Sequence, residues 1–241
     1  MTAEEHYESH LAHFYSWMAG DFTPAVEKQR DFFLKHDIIP KANGIAIDLG
    51  AGHGIQTLAL LKSGFSVTAI DFSEILLKEL EQNCAGFPVN VFKDDIRNIG
   101  KYAFLKPELI VCCGDTITHL DNLADVQKFL KDCAQALAPN GKLLLTFRDY
   151  TQELRGENRF IPVKSDDTRI LTCILEHEEE FVNITDLLHE RSETGWKQKV
   201  SSYRKVRLQP EMVVDFLQEN GFKIELNEVV ERMNVIIALK N

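Results

Sequence analysis

Asp48-Leu49-Gly50-Ala51-Gly52-His53-Gly54 is the stretch on which the reading of this chain turns. Before it, Gly44-Ile45-Ala46-Ile47 is an apolar run of strand length. After it, residues 55–62 carry a helical pattern that Gly64 ends. Glycines in a strand-to-helix turn let a ligand approach the backbone closely. The helix behind the turn offers free N–H groups and a positive dipole end. By itself the loop is also readable as nothing more than a tight turn. The next strand, Phe65–Ile70, is followed by Asp71, 21 residues after Gly50. A carboxylate there can accept both hydroxyls of a ribose, the plainer alternative being a capping or turn residue.

Further along, Ser73 caps a helix carrying Ile75, Leu76, Leu77 and Leu80, and Val89–Phe92 reads as a third strand. Leu109–Cys113 is a fourth, continuously apolar as a strand buried on both faces should be. Residues 124–138 form a helix with apolar positions 126, 129, 130, 133, 134 and 137 on one side. Pro139-Asn140-Gly141 turns into a fifth strand, Lys142–Arg148. Strands alternating with helices imply a parallel sheet covered on both faces. Upstream, residues 3–36 look helical: Tyr7, Leu11, Phe14 and Met18 recur at helical spacing. Thr23-Pro24 then opens a second helix, with Phe33 and Leu34 on its buried side. Between 150 and 208 the pattern changes to roughly three alternating polar strands, 168–177, 180–191 and 196–207, an antiparallel sheet with one solvated face. Pro210–Asn220 is a helix closed by Gly221, and Phe222–Leu226 and Asn234–Leu239 end the chain as a strand pair. The expected organisation is one domain, 1–241: a helical cap (1–40), a cofactor-binding core (41–149), a β lid (150–208) and a C-terminal helix and strand pair (209–241).

Composition narrows the function. The 241 residues are 44% hydrophobic and 27% charged, the balance of a globular protein. No apolar run approaches the roughly 20 residues that span a bilayer, so no membrane association is expected. Twenty-seven basic against 37 acidic residues give a net charge of −10, without a basic tract to hold a phosphate backbone, so no nucleic-acid partner is expected. The acidic, His-rich first residues resemble neither a signal nor a transit peptide. Five cysteines with no C-x-x-C pair read as reduced thiols, and a cytoplasmic location is expected. His6, His10 and His13 fall on one helix face, but no acid or thiol completes a metal site; a solvated face is the better reading, and no metal is expected. Nothing in the sequence speaks to oligomeric state.

The nucleotide is narrowed by the loop itself. A dinucleotide fingerprint wants G-x-G-x-x-G, whereas Ile55 takes the third glycine's place here and the glycines fall as G-x-G-x-G. Asp48, at the strand end, would repel a pyrophosphate and attract an amino or sulfonium group. The pattern suits S-adenosylmethionine better than NAD, which disfavours a nicotinamide-dependent oxidoreductase. With these residues the sequence resembles the class I S-adenosylmethionine-dependent methyltransferases. DLGAGHG resembles their first motif, GFSVTAIDFS their second, and Lys93-Asp94-Asp95-Ile96 their third; ELIVCCGDTITHL and LAPNGKLLLTF are similar to the fourth strand with its loop and to the strand after the following helix. CCGDTITHL and FRDY resemble, more loosely, the glycine and sarcosine N-methyltransferases, where an amide stands at the place of Asp115.

The resemblance implies an α/β fold: a doubly wound, mostly parallel seven-stranded sheet with its last strand antiparallel, an N-terminal helical cap and an inserted antiparallel β lid. It implies methyl transfer from S-adenosylmethionine, leaving S-adenosylhomocysteine, to a small-molecule acceptor, an amine or amino acid-like compound. Cofactor contacts are expected from Tyr15, Asp48, Gly50, Ala51, Gly52, Asp71, Phe72, Leu76, Asp95, Ile96, Cys113 and His119, with Asp94 the competitor of Asp95 at the adenine edge. Catalysis is expected to involve His119, Asp115 and Arg148. Arg148 would hold the acceptor's carboxylate, or else pair with Asp149 or a lid carboxylate, or Arg148 and Asp115 would neutralise each other and the acceptor would be uncharged. Asp115 would hold the acceptor's ammonium or take its proton. His119 would be a contact, a base or a helix cap. Tyr15, Trp17 and Met18 would cover the sulfonium or simply pack. A non-catalytic cofactor-binding or partner-activating role is the rival from another class.

Overall fold

The computed structural model describes residues 1–241. The first 35 residues are not one helix pair. They form α1 (Ala3–Ser9), a 3-10 turn (Leu11–Phe14), α2 (Tyr15–Ala19) and α3 (Phe22–Lys35). Thr2 starts α1 through a reciprocal capping box with Glu5. Gly20, at φ +91, separates α2 from α3. Asp21, not Thr23, occupies the α3 N-cap, and Pro24 lies in the first turn, where its missing N–H has no partner to lose. Phe33 is fully buried as expected, but Leu34 is 51% exposed, one position around the helix from the core.

The core then runs β1 (Ile45–Leu49), α4 (Ile55–Lys62), β2 (Ser66–Asp71), α5 (Glu74–Asn83), β3 (Val89–Lys93), a 3-10 stretch (Ile96–Leu105), β4 (Leu109–Cys112), a 3-10 turn (Thr116–His119), α6 (Leu123–Ala136) and β5 (Lys142–Phe147). The lid follows as β6 (Phe160–Ser165), β7 (Arg169–His177), β8 (Phe181–Ser192) and β9 (Gly195–Val206), and the chain closes with α7 (Pro210–Glu219), β10 (Phe222–Val230) and β11 (Met233–Lys240). The main sheet has the order β10-β11-β5-β4-β1-β2-β3. Its five core strands pair in parallel, and β11 runs antiparallel to both neighbours. Alternation along β1 divides the core. Ile47 and Leu49 join α6, α7 and the 96–105 stretch on one face, and Ala46 joins α3, α4 and α5 on the other. No helix is long and apolar enough to cross a membrane.

The lid has four antiparallel strands rather than three, in the order β6-β7-β8-β9. The extra one, β6, contains Pro162 and a register shift beside it, features that an edge strand tolerates and that hide it from a pattern search. Along β8, Val182, Ile184, Asp186 and Leu188 point inward. Leu171 and Leu188 close over Leu11 and Phe14, so the lid rests on the N-terminal segment.

Candidate functional site

At the carboxyl edge of the parallel strands lies a cavity of about 380 Å³. Its floor is the Gly50–Gly52 loop with Asp71, Phe72 and Leu76; Asp95 and Ile96 form one end, Cys113 and His119 the other, and Tyr7 and Tyr15 the roof. The loop is pinned to β2 because Gly50 N–H and Ala51 N–H donate to the Ile70 carbonyl at 2.8 and 3.1 Å. Gly50 sits at φ +73, and a Cβ there would collide with the Thr116 side chain, so this position has no room for another residue.

Asp71 is 6% exposed. One carboxylate oxygen accepts from Gly52 N–H and the other from Ser73 N–H, both at 2.8 Å. Burial raises its pKa to about 6, against those backbone bonds. Asp95 and Asp94 are told apart by direction. Asp95 lines the cavity while accepting from Arg97 N–H at 2.8 Å. Asp94 turns away to accept from Asn98, Lys101 and Tyr102. His119 Nε2 lies 3.4 Å from the Tyr7 hydroxyl, and its Nδ1 is buried without a partner. Burial, reinforced by the Lys205 ammonium, pushes the His119 pKa well down, so the ring is neutral. Burial also raises Tyr7 and holds Tyr15 at about 12, keeping both phenols uncharged.

Three expected site residues, Asp48, Asp115 and Arg148, lie outside the cavity. Asp48 sits behind the glycine loop, on the α4 side of β1, where Thr57 Oγ1 donates to it at 2.6 Å. Burial raises its pKa to about 7. Strand alternation aims it away from the cavity lining. Asp115 is fully buried, and its carboxylate accepts from Arg148 N–H at 2.9 Å, from the Tyr150 hydroxyl at 2.6 Å and from Lys205 Nζ. Burial works to raise its pKa, but the Lys205 charge and these donors outweigh it and hold the group ionised below the usual carboxylate value. A carboxylate so occupied is not available to grip an acceptor's ammonium.

Arg148 follows β5 with its side chain 54% exposed, and its guanidinium stands 3.6 Å from Asp115. It does not line the cavity itself, yet its charge reaches Tyr15 in the roof. Asp149 is not its partner; that carboxylate caps Thr151. Tyr7 and Lys205 escape the sequence reading. Tyr7 reads as a helix-face residue, and Lys205, alone in an alternating strand, reads as solvated. The solvated histidine face is also corrected. α1 ends at Ser9, His13 alone is exposed, and His6 is fully buried, with Nδ1 2.8 Å from Ser201 Oγ and Nε2 3.1 Å from Asp186.

Comparison with known proteins agrees with this architecture. Residues 46–141 match Methyltransf_25, a methyltransferase domain. A glycine/sarcosine N-methyltransferase of Halorhodospira halochloris is 30% identical over 132 residues, 54% of this chain and 49% of that protein. The putative methyltransferase YqeM of Bacillus subtilis is 31% identical over 42% of this chain and 41% of its own length. The chain thus spans about half the length of the curated relatives it matches. Among solved structures, an S-adenosylmethionine-dependent methyltransferase from Clostridium acetobutylicum superposes with a TM-score of 0.73 at 19% identity, covering 89% of this chain and 92% of that one. The sugar N-methyltransferase KedS8 from Streptoalloteichus gives 0.73 at 15% identity, over 95% and 91%. At these identities the structural likeness is one of fold. With the glycine loop, the strand-end carboxylate, the sheet order and the matched domain in one place, residues 46–141 are similar to a methyltransferase domain, and the chain shares its fold with S-adenosylmethionine-dependent methyltransferases.

Proposed function

We propose that the chain transfers a methyl group from S-adenosylmethionine to a small molecule, an amine or amino acid-like acceptor. The observation that carries this reading is the single cavity in which the glycine loop, Asp71 and the Asp95–Ile96 turn meet beneath Tyr7 and Tyr15. The cofactor fits the groups present. A carboxylate has about four lone-pair sites, and Asp71 uses two on backbone N–H groups, leaving acceptors for two ribose hydroxyls. Asp95, with the Ile96 backbone, serves the adenine end, while Phe72, Leu76 and Cys113 give apolar contact. The uncharged rings of Tyr7 and Tyr15 offer their faces to a cation.

S-adenosylmethionine, when bound, supplies an electrophilic methyl on a sulfonium centre. The chain's residues do the aligning and the exclusion of water. The roof and the lid over it shield the site, which strengthens every charge interaction inside. Holding nucleophile and methyl collinear near roughly 3 Å is the main gain in this chemistry. His119, whose pKa is pushed well down, acts as a neutral contact rather than as a general base. Arg148 holds an acceptor carboxylate through its bidentate fork. Two cations, Arg148 and Lys205, against one carboxylate, Asp115, disfavour an ammonium nearby and so help present the acceptor amine in its neutral, nucleophilic form. The glycine/sarcosine activity named for the relatives supports the choice of acceptor class.

A mass-spectrometric screen with isotope-labelled methyl donor tests the reading. Carboxylated amines should gain one labelled methyl. A folded chain that binds the donor and methylates nothing across amines and hydroxyl compounds would refute it.

A further inference from the structure

The Asp115 cluster contains more positive charge than its carboxylate can neutralise. Lys205 comes from β9, is 6% exposed along its side chain, and directs Nζ onto an Asp115 oxygen. Its ammonium also lies 5.6 Å from the Tyr150 ring and 5.9 Å from the Tyr203 ring, an aromatic wall that fixes its approach. Asp115 is 1% exposed and already accepts from Tyr150 and from the Arg148 backbone. Arg148 is the second cation, at 3.6 Å, beyond hydrogen-bonding distance, and it alone of the three is half-exposed. A buried carboxylate must have a counter-charge. Lys205 supplies it through a direct hydrogen bond, from a strand far along the chain, so the guanidinium next door keeps only a looser ion pair at 3.6 Å.

We propose that Lys205 is a positioning residue that sets acceptor specificity: by engaging Asp115 from the lid, it leaves the Arg148 guanidinium free for the carboxylate of an amino acid-like acceptor. The inference rests on the methyl-transfer reading and on Arg148 as the acceptor contact. Without Lys205, Asp115 takes Arg148 as its partner, and the acceptor loses its anchor. Removing the Asp115 charge as well releases Arg148 again, so the double change should rescue what the single one loses. A merely structural lysine predicts rescue of stability alone, with the reactivity of Arg148 and the acceptor KM of the folded protein unmoved.

The test compares the intact protein with Lys205→Met, Asp115→Asn, the double variant and Arg148→Lys. One readout needs no turnover: the rate at which phenylglyoxal modifies Arg148, followed by peptide mass spectrometry. Lys205→Met should slow it by roughly tenfold or more, the worth of one charge-assisted contact. Lys205→Met/Asp115→Asn should restore the original rate. The other readout is kinetic, with glycine and sarcosine as carboxylated probes and methylamine and dimethylamine as the same amines without the carboxylate. Lys205→Met should raise the glycine KM by a similar factor with kcat nearly unchanged, and the double variant should bring KM back. Equal Arg148 modification in the parent and in Lys205→Met, or no rescue by the double variant, overturns the proposal. If Lys205→Met does not fold, the double variant, which carries no buried unpaired carboxylate, decides: a glycine KM well above the parent's overturns it. Equal use of glycine and methylamine, with Arg148→Lys indifferent, instead overturns the underlying acceptor reading, and with it the specificity assigned to Lys205.

Discussion

Asp71 and Asp48 are both raised by burial, and the two make opposite contributions to what can be measured. Asp71 accepts ribose hydroxyls only when ionised, so binding favours its charged form. With its pKa at about 6 in the free protein, cofactor affinity should hold above that pH and fall as pH drops below it. Asp71→Ala should weaken binding by about 3 kcal/mol or more and flatten the profile, as calorimetry across pH would show. Asp48, at about 7, is a burden on the fold at alkaline pH. A carboxyl whose folded pKa is raised adds stability below its unfolded pKa and loses it as pH rises through the folded value. Asp48→Asn keeps the acceptor for Thr57 and removes the charge. It should raise stability by roughly 4 kcal/mol at pH 8, by less than half of that at pH 5 and by little below pH 4 in denaturant titrations. Both acids are legible in the sequence, because they end strands beside a glycine loop. What an acid faces is less legible: Asp71 lines the cavity as expected, but β1 alternation turns Asp48 toward Thr57, and Asp115, a further expected site acid, is claimed by a lysine ninety residues away.

Between elements, the contact of α1 with the lid is a buried clasp. His6 joins Ser201 on β9 and Asp186 on β8 and stacks on Tyr203 at 4.1 Å. Tyr7, beside it in the chain, roofs the cavity. His6→Ala should therefore destabilise the protein by about 2 kcal/mol or more, since it leaves Asp186 short of a partner. It should also speed hydrogen exchange in residues 3–9 and 181–206 and accelerate cofactor release. Exchange unchanged in both segments would deny the clasp. At the floor, Gly50→Ala combines a left-handed φ with a collision against Thr116, so it should abolish measurable cofactor binding in a protein that still folds. Sequence periodicity finds the core strands and α4–α6 to within a residue or two, since all but the edge strand β3 bury a continuous stripe. It misses β6, where Pro162 breaks the alternation, and misreads His6 of α1 as solvated, because its partners lie on β8 and β9.

Across the whole molecule, strand–helix alternation was enough to give the parallel sheet, and the glycine loop with its strand-end acid was enough to point to the sheet edge where the cavity lies. The cavity's roof was not accessible that way, since residues 2–15 meet residues 50–121 through contacts distant in sequence, with the lid packed on the N-terminal segment. The account stands on that cavity taking S-adenosylmethionine with its ribose on Asp71. Calorimetric titration of S-adenosylhomocysteine into the parent protein and into folded Asp71→Ala at pH 7.5 tests this most directly. The account predicts one-to-one binding by the parent, weakened by about 3 kcal/mol or more in the variant. No binding by the parent, or undiminished affinity in folded Asp71→Ala, would contradict it.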